Sequence, residues 1–307
     1  MKIFFTSIAY FIFCITCNAQ KTNENDLQRI KKHFIAITKT EKARNYKNVK
    51  TLNFVANYIK KELTKVCDSV AYQNFNVDNT IYKNAIGSLG TENKERIIIG
   101  AHYDVCGDSE GADDNASGVV GLLELARLLS KENLKYRIDF VGYSLEEPPF
   151  FRTKQMGSYI HAKYLVDKKI LVKGMISLET IGFFSDKKGS QRFPIMGMEK
   201  IYGNIGSFIT VVQNDKNEIF SNQIDYLMKS EQLINTKSFK GSSRLPGVDF
   251  SDHLNYWKHN FDAVMITNTA FYRNKNYHTS NDKLDTLDLE KMNLVIKQLF
   301  NVLKKIN

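Results

Sequence analysis

Short continuous runs of apolar residues divide the middle and C-terminal parts of this chain. They lack the alternation of a strand with one face in water, and they are as short as the strands that parallel sheets bury on both faces. Four such runs are predicted to be buried strands: residues 96–101, 137–144, 172–178 and 263–267.

Apolar residues at helical spacing flank these runs. They predict helices over residues 24–37, 49–65, 116–130, 154–166 and 287–303, and residues 70–77 and 81–89 are predicted to be two further strands. The helix at 116–130 is apolar nearly all round and should be buried. This order of elements predicts an α/β fold in which helices sandwich a mainly parallel central sheet.

Side chains that commonly bind metals follow the predicted strands. His102 ends the first strand, and Asp104 lies on the same side of an extended backbone, where it could orient the imidazole. Glu146 and Glu147 follow the second strand, and Glu179 follows the third. Open α/β sheets bind their ligands outside the carboxyl ends of the strands, so these groups are candidates for one site.

Each of these features has an ordinary explanation when it is taken alone. A single histidine near acids is usually a surface histidine, and Asp114, Asn115 and Ser117 offer capping groups to the helix that follows them. Adjacent buried carboxylates, however, repel each other without a cation. The repetition of ligand-type residues after successive strands therefore favours a metal centre.

The ordered set of motifs resembles metallopeptidase family 28, the co-catalytic di-zinc aminopeptidases, such as bacterial leucyl aminopeptidase, and their carboxypeptidase relatives. The resemblance covers roughly residues 82–284. It rests on these motifs: His102-x-Asp104, Gly111-Ala112-Asp113-Asp114-Asn115-x-Ser117-Gly118, Glu146-Glu147, Glu179, Ser251-Asp252-His253 and Tyr277-His278-Thr279. It implies a metallo-exopeptidase with the zinc aminopeptidase-like (phosphorylase/hydrolase-like) fold.

The resemblance also implies a ligand set for two zinc ions. Asp114 would bridge both ions. His102 and Glu179 would complete one zinc site, and Glu147 and His278 would complete the other. Such a mixed nitrogen and oxygen set without cysteine suits hydrolytic rather than structural zinc.

By the same resemblance, Glu146 is the general base, which takes a proton from the attacking water and gives it to the departing amine. Asp104 and the Asp252-His253 pair would support the ligands or line the substrate pocket. The resemblance further implies a cis peptide bond between Asp114 and Asn115.

Three positions depart from well-known members of the family. Glu179 stands where aspartate is more usual, and Pro148-Pro149 replaces a glycine-rich turn. Val248 stands three residues before the Ser-Asp-His motif, where some members have a tyrosine that binds the oxyanion. A different oxyanion donor would be needed in this chain.

The leading functional hypothesis is an aminopeptidase acting on peptides. Five aromatic residues near the candidate ligands are equally well explained as pocket walls or as core: Phe150, Phe151, Phe271, Tyr272 and Tyr277. A carboxypeptidase is the nearest alternative, because an arginine could bind a terminal carboxylate in a bidentate manner. The candidates are Arg152, Arg244 and Arg273. Further alternatives are a glutaminyl cyclase, whose relatives use a single zinc, and an inactive binding module.

Residues 1–19 resemble a secretory signal peptide, with a basic start, an apolar core too short to span a membrane comfortably and a small-x-small cleavage site. The chain is therefore expected to be exported to a periplasm or outside the cell, with residues 20–307 forming one catalytic domain. Lipid attachment at Cys17 is the alternative. Cys67 and Cys106 would then remain, either as a disulfide or as two thiols.

The net charge of +10 does not indicate nucleic-acid binding. The lysines are scattered, whereas nucleic-acid-binding proteins show a basic stripe with interleaved aromatic residues. Peptides are thus the expected partners, with no stable membrane span in the mature chain. The oligomeric state is not predicted.

Overall fold

The computed structural model describes residues 24–216 and 218–306, so the predicted signal peptide and Cys17 lie outside the described residues. The helices are α1 Glu24–Thr38, α2 Val49–Thr64, α3 Gly118–Leu129, α4 Gly157–Asp167, α5 Glu199–Tyr202, α6 Ile219–Glu231, α7 His253–Lys258 and α8 Leu289–Ile306. The strands are β1 Ser69–Val77, β2 Thr80–Leu89, β3 Arg96–His102, β4 Arg137–Tyr143, β5 Val172–Glu179, β6 Ile209–Gln213, β7 Thr236–Lys240 and β8 Ala263–Thr267.

The strands form one eight-stranded sheet in the order β1-β2-β4-β3-β5-β8-β6-β7. Its four central strands, β4, β3, β5 and β8, are parallel to one another. Antiparallel pairing occurs toward the edges, between β1 and β2, β2 and β4, and β6 and β8. The predicted α/β fold with a mainly parallel centre is confirmed.

Helices cover both faces of the sheet, and β3 shows why its apolar run is continuous. Ile97 and Ile99 pack into the larger core with α1, α2, α3, α6 and α8. Ile98 lies in the smaller core on the opposite face, beside α4 and α7. Because successive side chains of a strand point to opposite faces, a strand covered on both sides needs apolar residues at every position.

The helix predicted at 116–130 begins at Gly118, after a turn over Ala112–Ser117. Of the three predicted capping residues, Asn115 caps it: its Oδ1 accepts the Gly118 N–H at 3.0 Å. Ser117 donates instead to the Asp113 carbonyl. Gly118 is required there, since an added Cβ would lie 2.4 Å from Asn115 Oδ1 and 2.5 Å from the Leu178 carbonyl oxygen.

The region between β5 and α7 was not predicted from the sequence. It contains β6, α6 and β7, which extend the sheet beyond β8. Within the described residues, no helix combines the length and the apolar character needed to cross a membrane.

Candidate metal centre

The candidate ligands meet at the carboxyl edge of the central parallel strands. His102 is the last residue of β3 and Glu179 is the last residue of β5. Glu146 and Glu147 lie in the loop after β4, and His278 comes from the loop after β8. Parallel pairing places these strand ends side by side, so residues distant in sequence line one cavity of about 620 Å³, its opening included.

Asp114 lies between two imidazoles. Its Oδ1 is 3.4 Å from His102 Nε2, and its Oδ2 is 3.0 Å from His278 Nε2. A second carboxylate accompanies each histidine: Glu179 Oε2 is 3.3 Å from His102 Nε2, and Glu147 Oε2 is 3.2 Å from His278 Nε2. The geometry thus provides two nitrogen–carboxylate sets that share one aspartate.

These carboxylates are buried, and burial raises the pKa of three of them. Burial and the charge of Asp114 raise the pKa of Glu147 to about 7. Burial also raises the pKa of Glu146, well above its usual value, and that of Glu179, although His102 opposes both shifts. Concentrated, desolvated negative charge of this kind calls for a cation.

The side chains fit a divalent metal. Ligand atoms of His102, Asp114 and Glu147 all lie within 4.8 Å of one another. Glu147 Oε1 is buried and has no hydrogen-bond partner, and a buried carboxylate oxygen in that state is costly unless a ligand occupies it. Imidazole nitrogen with carboxylate oxygen is also the donor set that catalytic zinc sites use.

Two further aspartates fix the backbone of the candidate ligands. The two oxygens of Asp104 accept the Glu146 N–H at 3.2 Å and the Glu147 N–H at 3.1 Å. The oxygens of Asp282 accept the N–H groups of Asp113 and Asp114 at 2.9 and 3.0 Å. Asp104 therefore orients the glutamate pair; its Oδ1 is 3.6 Å from His102 Nδ1, too long for a hydrogen bond.

Ser251, which the sequence did not single out as a site residue, donates a hydrogen bond of 2.7 Å to Glu179 Oε2. Asp252, its neighbour, is fully buried, and burial raises its pKa to about 7. His253 does not line the cavity that the candidate ligands share; its ring contacts the Val248 carbonyl and Trp257. The Ser-Asp-His motif thus positions a candidate ligand through its serine.

The predicted cis peptide bond between Asp114 and Asn115 is confirmed. Positive φ values occur at Leu145, directly before Glu146, at Thr180, directly after Glu179, and at His278 itself, with φ of 61°, 48° and 59°. Such values are uncommon for residues other than glycine and concentrate at functional sites.

Cys67 and Cys106 are both free thiols, so the structure contains no disulfide between them. The Cys106 sulfur lies within 4.8 Å of ligand atoms of Glu147 and His278. Burial raises the pKa of the Cys106 thiol, which keeps it protonated near neutral pH.

A second, largely apolar pocket of about 730 Å³, its opening included, adjoins the metal cavity. The two cavities share four walls: Glu179, Phe250, Phe271 and Tyr277. Of the five aromatic residues considered from the sequence, Phe271, Tyr272 and Tyr277 line this pocket, Phe151 lines the metal cavity and Phe150 is packed in the core.

None of the three arginines considered for a terminal carboxylate lines the metal cavity. Arg152 pairs with Asp249, Arg244 is exposed, and Arg273 is buried with its Nε bonded to Gln191. Among the described residues, the walls of the metal cavity contain no lysine or arginine.

The fold and this geometry are those of a metal-dependent hydrolase, and comparison with known proteins gives the family. The model of peptidase family M28 matches residues 84–303. The chain belongs to peptidase family M28, a family of metal-dependent exopeptidases, as the motifs predicted.

The chain is 38% identical over 320 aligned positions to the uncharacterized protein YfbL of Escherichia coli K12, covering 98% of both chains. It is also 27% identical to a probable leucine aminopeptidase of Trichophyton verrucosum, covering 77% of this chain and 62% of that protein.

Solved structures share the zinc aminopeptidase-like fold. The LapA aminopeptidase of Legionella pneumophila superposes with a TM-score of 0.72 at 20% identity, covering 91% of this chain and 70% of that chain. A glutaminyl cyclase of Bacteroides thetaiotaomicron superposes with a TM-score of 0.64 at 19% identity, covering 91% and 96%. At these identities the likeness establishes the fold alone.

Proposed function

We propose that the protein is an exported aminopeptidase that uses two zinc ions to remove N-terminal residues from peptides. The observation that carries the proposal is the position of Asp114, whose two oxygens face two different histidines, each with its own second carboxylate. A single-metal cyclase does not need a second complete set.

In this proposal His102 and Glu179 hold one ion, Glu147 and His278 hold the other, and Asp114 contacts both. When bound, the ions would supply a Lewis acid and a water of lowered pKa. Glu146 lines the cavity without belonging to either set, and its Oε2 is 3.8 Å from His102 Nε2. It is therefore free to accept a proton from water and to deliver it to the departing amine, which leaves poorly unless protonated.

The walls of the metal cavity offer no group that would bind the free C-terminus of a substrate. Two bound zinc ions would offset the charge of the four cavity carboxylates, and the described residues that line the cavity include no lysine or arginine to pair with a terminal carboxylate. Relatives named probable leucine aminopeptidases, together with the adjoining apolar pocket, support an aminopeptidase as well. Export remains a prediction from residues 1–19.

The test is hydrolysis of aminoacyl-4-nitroanilides by the purified protein, before and after chelation and return of zinc. We expect chelator-sensitive release from free N-termini only. Glu146→Gln should lower kcat about 10³-fold, within the range of general acid–base catalysis, while zinc content stays at two per chain. Lys163→Gln, at an exposed ion pair on α4, is the control.

Three results would contradict the proposal. Cleavage of N-blocked peptides at their C-terminal end would indicate a carboxypeptidase. Release of ammonia from N-terminal glutamine without nitroaniline would indicate a cyclase. Zinc binding without turnover of any substrate would indicate a binding module.

A further inference from the structure

The apolar pocket has a polar end on the side away from the metal centre. Thr210 of β6 and Lys237 of β7 are paired neighbours in the sheet, and both side chains line the pocket. These strands lie beyond β8 in the sheet order, whereas the pocket walls shared with the metal cavity include Glu179 of β5. A substrate side chain that entered past the metal centre would therefore meet Thr210 and Lys237 with its far end.

Hydrogen-bonding capacity at this end is incompletely used. Thr210 is 4% exposed, and its Oγ1 has no hydrogen-bond partner. Lys237 donates to the Tyr202 carbonyl, which leaves two of the three ammonium hydrogens for other acceptors. A buried hydroxyl without a partner destabilises the protein, so a site that leaves one there gains when a ligand satisfies it.

Two cations at this end, Lys237 and Arg273, form no salt bridge within the described residues. Lys237 Nζ lies 4.4 Å from the centroid of the Phe208 ring, and the Arg273 guanidinium carbon lies 4.6 Å from the same centroid. Arg273 is 3% exposed, and its Nη1 and Nη2 have no hydrogen-bond partner. Among the described residues, neither cation has a carboxylate within salt-bridge distance. The potential at the end of the pocket thus favours an oxygen acceptor and disfavours a cation.

We infer that this pocket selects a long first residue whose side chain has an apolar or aromatic stem and an oxygen acceptor at its far end. Lys237 and Thr210 bind that oxygen, and Arg273 strengthens the positive potential behind Phe208. Tyrosine and glutamate both carry this chemistry, and lysine and arginine are excluded by like charge. The inference rests on the proposed aminopeptidase function, because it assigns the pocket to the residue that is removed.

The test uses two pairs of aminoacyl-4-nitroanilides, tyrosine against phenylalanine and glutamate against leucine, with zinc content measured for every variant. Lys237→Met keeps the stem and removes the ammonium, Thr210→Val removes only the hydroxyl, and Lys237→Arg restores charge and donors. Lys240→Met is the matched control, because it removes the same charge from the exposed end of the same strand.

We expect Lys237→Met to lower kcat/KM by about tenfold or more for the oxygen-bearing member of at least one pair and to leave phenylalanine and leucine unchanged. Thr210→Val should lower the ratio of kcat/KM for the oxygen-bearing substrate to that for its apolar partner several-fold. Lys237→Arg should keep most of the wild-type ratio. The affected pair tells whether a phenol or a carboxylate is bound. Unchanged ratios in both pairs, with phenylalanine and leucine still hydrolysed, would overturn the inference alone. No hydrolysis of any substrate by the zinc-loaded protein would overturn the proposed function with it.

Discussion

The metal cavity and the apolar pocket share four walls, but most of their other walls come from different parts of the chain. The metal cavity is formed mainly by the ends of the central parallel strands and the loops that follow them. Asp104 and Asp282 accept buried hydrogen bonds from the backbone of its candidate ligands, and Ser251 donates one to Glu179. Most of the remaining walls of the apolar pocket come from residues 191–212 and 237–248, around α5, β6 and the edge strand β7, and the others come from β8 and the loop after it.

The two cavities therefore differ in what holds them in place. Hydrogen bonds in the metal cavity specify positions closely, as chemistry on a peptide bond requires. The pocket is walled largely by apolar side chains, with a few hydrogen bonds between its walls, and part of its outer cover is exposed: Met196 is 98% exposed and Ile201 is 79% exposed. Changes in the metal cavity should affect all substrates equally, whereas changes in the pocket should alter the ratio between substrates.

The largest predicted effect belongs to the metal cavity, and it is the pH dependence of stability in the metal-free protein. The pKa of Glu147 is raised from 4.5 to about 7 in the folded chain. A group whose pKa is raised by folding stabilises fully below its unfolded pKa, and this contribution is lost as pH rises to the folded pKa. The variant Glu147→Gln lacks this titration. Its free energy of unfolding, relative to that of the wild type, should therefore increase by on the order of 3 kcal/mol from about pH 4.5 to about pH 7.

The measurement is urea unfolding of both proteins in chelator at each pH. Comparison with the wild type is necessary because burial lowers the pKa of His161 and His253 to about 4, which makes stability rise with pH over an overlapping window. Added zinc at pH 7 should make the wild type the more stable of the two proteins, because zinc stabilises the wild type more than the variant. If the difference in free energy of unfolding between the variant and the wild type did not change with pH, the carboxylates of this cavity would not repel one another.

Most of the metal centre could be predicted because His102, Glu147 and Glu179 end or closely follow locally recognisable strands, and Asp114 and His278 lie in motifs that keep the order of the family. The supporting bonds made by Asp282 and Ser251 could not, because Asp282 is 168 residues from Asp114 and Ser251 is 72 residues from Glu179. The pocket was missed for a related reason. The sequence of β7, Thr-Lys-Ser-Phe-Lys, contains one apolar residue and gives no strand pattern, so pairing with β6 and packing of α6 make it a strand.

The second prediction concerns Ser251, which donates to Glu179 at 2.7 Å. Ser251→Ala should weaken zinc binding about 10- to 100-fold, the usual cost of removing a group that orients a ligand. Chelator competition measures the change. Ser177→Ala is the matched control, since its hydroxyl contacts Ser251 at 2.9 Å, with no hydrogen bond to Glu179. Equal losses in both variants would mean that packing, and not the bond to Glu179, is responsible.

The smallest predicted effect belongs to the pocket. Phe239 of β7 is half-buried and lines the pocket, but not the metal cavity. Phe239→Ala should raise KM for leucine and phenylalanine substrates about tenfold, since lost contacts in an apolar pocket are worth about 1–3 kcal/mol. Alanine has only a methyl side chain to place in the pocket, so we expect its kcat/KM to report mainly on the metal cavity. The kcat/KM for leucine divided by that for alanine should therefore fall, while zinc content and alanine turnover stay unchanged. Phe54→Ala, at a side chain that is 58% exposed, controls for the loss of an aromatic ring. An equal fall in kcat/KM for alanine and leucine would show that the two cavities do not act separately. Widening the pocket would then have displaced residues of the metal cavity.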